Sequence, residues 1–393
     1  MDDRVFISDG HWRKSLAAVR GLGRRGIPVT VGESTRLSAA AFSRYCRRAV
    51  VYPSVHFRPD DFIDYLCTDL SRNPCRMLLP MEDETCEVLA RHSADIARLT
   101  YLPLVRHEVL RFARDKGNII QLAEKLGIPV PRTWHIDRIE QIHALKDILP
   151  YPVVIKPRVS SGALGIRYPG TPAEFLEHYL AVHRNYPLPL VQEHIPRQGA
   201  GYGASFLFDE KGSVRASFVH KRLREYPVSG GASTLRESVR RDDIREMGLQ
   251  LLKALNWFGV AMVEFKIDLR SNTPMLMEIN PRFWGSLALA IEAGVNFPYL
   301  LYRMSRGEAF APVEQYEVGK RCRWFLPGDF LHFVCNPQRM KLLPGFFNFH
   351  DRTVAHDIFA SDDPLPVLGT VLTPLTFLYD PDMKRRLEER KQP

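Results

Sequence analysis

The stretch MLMEINPRFWGS, Met275–Ser286, decides how this chain is read. It begins as an apolar strand, yet Glu278 and Asn280 interrupt the run and Pro281-Arg282 ends it. Side chains alternate along a strand, so Met275, Met277 and Ile279 are expected on one face and Leu276, Glu278 and Asn280 on the other. Just upstream, AMVEFKIDL alternates in the same way. Ala261, Val263, Phe265 and Ile267 share one face; Met262, Glu264, Lys266 and Asp268 share the other. The link RSNTP is short enough for an antiparallel hairpin. With Leu269 paired to Thr273, Glu264 falls opposite Glu278. Like charges so placed repel unless something lies between them. Two carboxylates and one amide form an all-oxygen set that suits magnesium and leaves room for water and phosphate. The plainer alternative is two solvated strand carboxylates. The apolar opposite face and the Asn-Pro-Arg ending favour the ligand set.

Magnesium held this way usually accompanies a nucleotide, so phosphate ligands are sought outward from the hairpin. Lys156 closes the apolar strand VVIK before Pro157. It reads as a phosphate ligand or as a snorkelling edge lysine. The loop SSGALG follows, with Ser160, Ser161, Gly162 and Gly165 able to bring backbone N–H groups near phosphate. Lys116 falls in the first turn of a helix, where the helix dipole disfavours a cation. An anionic ligand would explain it.

The remainder is α/β. RVFIS, a helix from HWRKSLAAVRGLGRRG and IPVTVGE form a strand–helix–strand unit with a parallel sheet. Its turn SDGHWRKS matches neither a GxGxxG nor a P-loop pattern. DDFIDYLCTDLSRN and ETCEVLARHSADIARL read as helices around the strand RMLLPMED. Farther on, YPVVIKPRVSSGALGIRY reads as strand, loop, strand. RQGAGYGASFLFDEKGSVRASFVHKR reads as two strands joined at Glu210–Gly212, and DDIREMGLQLLKALNWFG as an amphipathic helix. The expected organisation is a first α/β domain over residues 1–108 and a larger domain over 109–311, with subdomains 115–190 and 191–311. An extension of 312–393 follows. The stretch PLPVLGTVLTPLTFLY is expected to pack as an extended segment, being too short and proline-rich to span a bilayer.

The 393 residues carry a formal net charge of +9 without a basic block, which fits an anionic small substrate and gives no nucleic-acid motif. The six cysteines form no CxxC pair and show no zinc spacing. Reduced thiols and a cytoplasmic location are expected, with no signal peptide and no stable membrane insertion. The thirteen histidines include no HExxH pair.

The order Lys116, VVIKP with its glycine loop, LVQEHI, MVEFK and MEINPR resembles the ATP-grasp superfamily. The likeness is to the carbamoyl-phosphate-synthase-like and biotin-carboxylase-like carboxylate–amine ligases, and it extends over roughly Arg4–Met304. The resemblance implies an N-terminal α/β domain before a two-subdomain ATP-grasp fold. It implies that Lys116 and Lys156 contact ATP phosphates and that Ser160–Gly165 folds over them. Gln192, Glu193 and the Ile195 backbone would meet adenine at the hinge QEHI. Glu264, Glu278 and Asn280 would hold magnesium, two ions in the family pattern, with manganese able to substitute. Arg282 would steady the phosphoryl group or the substrate carboxylate, and Lys221 would reach the γ-phosphate beside His220, Arg222 and Arg224. The acid that usually holds ribose has no counterpart after the hinge, where Gln198 and glycines stand.

Substrate-side residues are less readable. VSGGAST, with Gly230, Gly231 and Ser233, is either a backbone nest for an anion or an ordinary glycine turn. In PMEDET, Glu82 or Glu84 would bind a substrate amine, or both are simply acids at a helix N-terminus. Trp284 either walls the pocket or packs in the core. The function implied is ATP-dependent ligation of a carboxylate to an amine or thiol through an acyl phosphate. The alternatives are bicarbonate-dependent carboxylation or carbamoyl-phosphate chemistry, and a nucleotide-binding regulator without turnover. The expected partners are the small-molecule substrates, with a homodimer as the default assembly.

Overall fold

In a computed structural model, the chain is described over residues 3–160, 164–196, 198–228, 230–349, 351 and 353–391, the side chains of 386, 387 and 389–391 excepted. Three sheets organise it. The first contains β1 (Val5–Ile7), β2 (Val29–Glu33), β3 (Cys46–Val51) and β4 (Met77–Leu79), all parallel, in the order β3-β2-β1-β4. Its first three-residue strand is wholly buried, as expected for a parallel sheet covered on both faces. The helix Arg13–Gly23 lays Leu16, Val19 and Leu22 into the core. The helix Pro59–Arg72 starts with a proline and two aspartates, the residues its positive end favours.

The second sheet is small: β5 (Thr133–Trp134), β6 (Val153–Lys156) and β7 (Leu190–Glu193), antiparallel, in the order β5-β7-β6. It has its own core around Val153, Ile155, Phe175 and Tyr179. The strand expected after the glycine loop is reduced to a bridge between Ile155 and Arg167.

The third sheet has seven strands. They are β8 (Gly201–Phe208), β9 (Val214–Tyr226), β10 (Ala232–Ser238), β11 (Gly259–Asp268), β12 (Thr273–Asn280), β13 (Arg321–Arg323) and β14 (Val354–His356), in the order β12-β11-β8-β9-β10-β13-β14. Residues beyond 312 therefore complete this sheet through β13 and β14, which pair in parallel. One face carries Val219, Ala261, Val263, Phe265, Leu276 and Ile279 against the helix Asp242–Ala254. The other carries Ala216, Phe218 and Met262 into a core shared with the first sheet and with Phe283, Trp284 and Leu287.

Two expectations change. The hairpin pairs Asp268, not Leu269, with Thr273, and a bulge at Met277 then brings Glu264 opposite Glu278. A bulge places two residues against one, so Leu276 joins Ile279 in the core rather than sharing the face of Glu278. The stretch from Pro364 is not extended: it forms the helix Pro366–Thr376, on which Leu368, Val371 and Leu375 are exposed. Among the described residues no helix is long and apolar enough to cross a membrane.

Trp284 settles into the core rather than a pocket wall. It is fully buried and meets Phe297 edge to face at 5.0 Å between ring centroids. Because this core joins the first and third sheets, Trp284→Ala is expected to lower stability by about 3–5 kcal/mol. The measurement is the urea midpoint; a loss under about 1 kcal/mol would mean that the indole leaves no lasting cavity.

Candidate active site

Glu264 on β11 and Glu278 on β12 are cross-strand partners. Asn280 Nδ2 donates to Glu264 Oε1 at 3.0 Å. The repulsion between the carboxylates is answered here by two protein cations. Lys116 Nζ lies 3.2 Å from Glu278 Oε2, and Arg222 Nη2 lies 2.5 Å from Glu264 Oε2. Burial pushes the Glu278 carboxyl up, but Lys116, Lys156 and Arg222 outweigh it and hold it below the usual glutamate range. Burial pushes the Glu264 carboxyl up as well; Glu278 and Glu225 add to this, and despite Arg222 it stays above that range.

Each cation has a local reason for its position. Asp115 caps the helix Lys116–Lys125 by accepting from the backbone N–H groups of Gly117 and Asn118, so the chain turns sharply at Lys116. Lys116 Nζ also donates to the Ser160 carbonyl at 2.8 Å, which ties the small sheet's loop to the carboxylate pair. Lys156, the last residue of β6, is buried beside them. Burial, with Lys116 nearby, pushes its ammonium down to about 7 against the pull of Glu278.

Arg222 reaches Glu264 across β8, which lies between their strands. The glycines of β8 permit this: a Cβ at Gly201 would stand 3.1 Å from Arg222 Cδ, and one at Gly203 only 2.8 Å from Met262 Sδ. His220, on the same strand face as Arg222, bonds Ser286 Oγ at 3.1 Å. Burial, Arg222 and Arg236 keep it neutral by holding its pKa well below the ordinary histidine value.

The expectation for Lys221 is corrected by the same alternation. Phe218 belongs to the core on the Met262 side and Val219 to the core on the opposite side. Lys221, directly paired with Tyr202, therefore faces away from Glu264, and Arg222 takes its place.

Arg282 forms a second cluster. Its Nε lies 2.9 Å from Asp83 Oδ2 at the start of the helix Asp83–Arg91. Lys14 Nζ lies 2.5 Å from Glu82 Oε1 and donates to the Phe283 carbonyl at 3.2 Å. Burial and Arg282 lower the Lys14 pKa, opposed by Glu82 and Asp83. Glu82 is thus beside Arg282 through Lys14. Glu84 is not: it lies 2.7 Å from Arg385 and 3.1 Å from His56. Lys14 and Asp83 were missed in the sequence reading. The cue was available for Asp83, one of three acids in a row at a strand's end; Lys14 looked like an ordinary helix cation.

The hinge residues are more structural than expected. Gln192 is buried and donates to Thr133 Oγ1 at 2.7 Å. Glu193 accepts from the Arg132 backbone and lies 3.4 Å from Arg270. The Ile195 carbonyl accepts from Lys266 Nζ at 3.4 Å. Gly230 and Gly231 turn the β9–β10 hairpin, and the Gly231 carbonyl meets Arg222 Nη1 at 3.4 Å. Ser233 bonds neighbouring backbone carbonyls. Gly165 adopts φ +71°, a backbone conformation that glycine permits. Ser161 and Gly162 lie outside the described residues.

Among the described residues no three histidine, cysteine or carboxylate side chains gather as a metal cage. Two carboxylates plus Asn280 instead leave most of a cation's coordination to water and phosphate, which fits magnesium better than zinc.

Residues 209–324 match the family described as ATP-grasp in the biosynthetic pathway with Ter operon. The chain is 27% identical over 186 residues to the mitochondrial methylcrotonoyl-CoA carboxylase subunit alpha of Glycine max, covering 44% of this chain and 25% of the relative. It thus spans about a quarter of that protein's length. Among solved structures it is similar to the biotin carboxylase domain of Hydrogenobacter thermophilus 2-oxoglutarate carboxylase in complex with MgADP, ADP and bicarbonate. The TM-score is 0.66, with 13% identity, covering 81% of this chain and 73% of that one. It is also similar to the L-amino acid ligase of Bacillus licheniformis, with a TM-score of 0.58 and 16% identity, covering 77% and 74%.

The charge state of Lys156 yields a prediction. The unfolded chain holds more protons than the native one between pH about 7 and 10.5, so this residue makes stability rise with pH across that window. A bound polyphosphate reverses the preference by stabilising the ammonium. Binding near pH 8 should therefore take up close to one proton, roughly, per site. Calorimetry in buffers of different ionisation enthalpy reads this directly, and Lys156→Met should abolish it.

Proposed function

We propose that this chain, which has the ATP-grasp fold, is an ATP- and magnesium-dependent ligase that joins a carboxylate to an amine or thiol through an acyl phosphate. The observation that carries the reading is the registered Glu264–Glu278 pair with Lys116 against it and Lys156 buried beside it. Carboxylates there demand a cation, and the lysines demand an anion. A magnesium nucleotide is both.

The chemistry follows from charge. A carboxylate is a poor electrophile until its oxygen attacks the γ-phosphoryl group of ATP and ADP leaves. The resulting acyl phosphate accepts an amine, and phosphate departs. Phosphoryl transfer depends chiefly on positioning and charge neutralisation. In this role Lys116 and Lys156 hold phosphate oxygens, and Glu264, Glu278 and Asn280 hold magnesium. Arg222, rather than Lys221, lies on the reacting face. Bound magnesium supplies neutralisation of the charge that builds on the phosphate oxygens. Arg282, anchored by Asp83 two residues past Asn280, offers its charge to the acid substrate. Phe283, Trp284 and Ser286 beside it are buried, and excluding water there would protect an acyl phosphate.

Glu278→Gln should reduce ATP turnover by about 100-fold or more while nucleotide binding persists. The assay is phosphate release with amino acids singly and in pairs, with and without bicarbonate. Turnover that needs two organic substrates and no bicarbonate supports ligation. Dependence on bicarbonate would move the reading to carboxylation, and turnover indifferent to Glu278→Gln would remove the metal assignment.

A further inference from the structure

The helix Pro366–Thr376 is turned inside out. Residues 364–379, PLPVLGTVLTPLTFLY, carry no charged side chain. Such a run is expected to bury its large apolar side chains. Here the buried positions are Pro366, Gly369 and Thr376. Leu365, Leu368, Val371 and Leu375 recur at three or four residues and so share one side of the helix, and that side is exposed. Leu378 and Tyr379 extend it, and Leu378 keeps 74% of its exposure.

The inversion is built in. The small side of the helix lies on the short turn Ala39–Phe42. The approach is so close that a Cβ at Gly369 would stand 2.9 Å from Ala39 Cα. Polar groups fasten both ends. Before the helix, the fully buried Asp363 accepts from Arg20 Nε at 2.9 Å, from Ser43 Oγ at 2.7 Å and from the Arg44 backbone N–H at 2.8 Å. After it, Tyr379 OH lies 2.7 Å from Thr35 Oγ1, and Asp380 accepts from Ser34 Oγ at 2.7 Å. Separating buried carboxylates from such donors is costly, so these bonds hold the helix against rolling its leucines inward.

The surroundings carry one sign of charge. Residues 34–50, which include the turn under the helix, hold four arginines and no acid. Arg36 follows Thr35, at the C-terminal end of the helix. Arg44 Nη1 donates to the Asp362 carbonyl at 3.2 Å, at the N-terminal end. The Lys384 backbone N–H donates to the Asp380 carbonyl at 3.0 Å. All three cationic residues are exposed. The nearby acids do not offset them: Asp362 lies 2.8 Å from Arg24 Nη2, and Asp363, Asp380 and Asp382 are buried.

We propose that this helix is an interfacial anchor that seats the protein, reversibly, on a membrane surface containing anionic lipids. The leucines and Val371 enter the boundary between headgroups and acyl chains, while Arg36, Arg44 and Lys384 meet lipid phosphates. Their long stems let them do so from the flanks of an apolar face. Tyr379, with an apolar ring and a bonded hydroxyl, suits the same boundary. The helix lies on the bilayer and does not span it: its 11 residues rise roughly 16 Å, about half the hydrocarbon thickness. A second copy of the chain is the weaker occupant. A strip roughly 16 Å long and one helix wide falls well short of the roughly 800 Å² that a stable dimer buries on each partner, and it would gather the cations of both copies. The anchor does not depend on what the cleft binds.

The test is flotation of the full chain with vesicles of phosphatidylcholine alone, and of phosphatidylcholine and phosphatidylglycerol in equal parts, at low and high salt. The chain should bind the mixed vesicles about ten-fold or more tighter than the neutral ones, and high salt should remove most of that preference. Val371→Glu should weaken binding to the mixed vesicles by about ten-fold or more, with its fold checked by near-UV circular dichroism. Ile148→Glu makes the same charge change at another exposed position and should stay within about threefold of the wild type. Equal losses in the two variants would mean that net charge alone draws the protein to lipid, and the proposal fails. It also fails if the wild type floats with neither vesicle. Should Val371→Glu not fold, Leu368→Ser tests the same face without adding charge, and unchanged binding there counts against the anchor. Sedimentation equilibrium identifies the other occupant: a wild-type dimer that Val371→Glu splits, with no vesicle binding, assigns the face to a second copy and overturns the proposal.

Discussion

Everything at the centre of this molecule depends on two carboxylates that should not be together. Glu264 and Glu278 face each other across adjacent antiparallel strands, the arrangement in which like charges are most unfavourable. They are held by cations brought from elsewhere. Lys116 comes from a helix that precedes the small sheet, and Arg222 comes from two strands away. Because Lys116 also binds the Ser160 carbonyl, the repulsion on one hairpin is what fastens the small sheet's loop to the large sheet. The approach of Arg222 in turn requires Gly201 and Gly203 on the strand between. One electrostatic conflict thus fixes residue types on β8, β9, β11 and β12.

A second, roughly neutral bridge begins two residues beyond Asn280: Lys14 binds Glu82, and Arg282 binds Asp83. This bridge links the first sheet to the loop after β12, and the shared core around Trp284 supports it from behind. The first sheet is therefore not a separate appendage. It supplies Lys14, Glu82 and Asp83 to the ion pairs around Arg282 from the ends of its elements.

The sequence made the hairpin legible because it is local: period-two alternation and a short link, with Leu269 paired to Thr273, are enough to bring Glu264 and Glu278 together. Even so, the route differed. Thr273 pairs with Asp268, and the bulge at Met277 restores the pairing one step later. A bulge has no compositional mark in MLMEIN, so the placement of Leu276 on the carboxylate face could not have been corrected from sequence. Lys221 shows a related limit. Within VHKR each alternation carries a basic residue, Lys221 on one and His220 and Arg222 on the other, and only the hydrogen-bonded register to β8 decides that Arg222 and not Lys221 points at Glu264. Asp329 and Asp357 were invisible for a different reason. They lie in a segment without a motif, and their partners Arg224, Arg236 and Arg13 stand from 105 to 344 residues away in sequence. Long-range ion pairs leave no periodic signal.

The same pairs bear on how a reaction would run there. On the proposed reading, magnesium would take the carboxylates of Glu264 and Glu278, and phosphate oxygens would take the ammonium groups of Lys116 and Lys156. Lys116 and Arg222 stand against those carboxylates, so a metal nucleotide would bring both signs of charge to groups the fold has already removed from water. That costs less than desolvating bare charges.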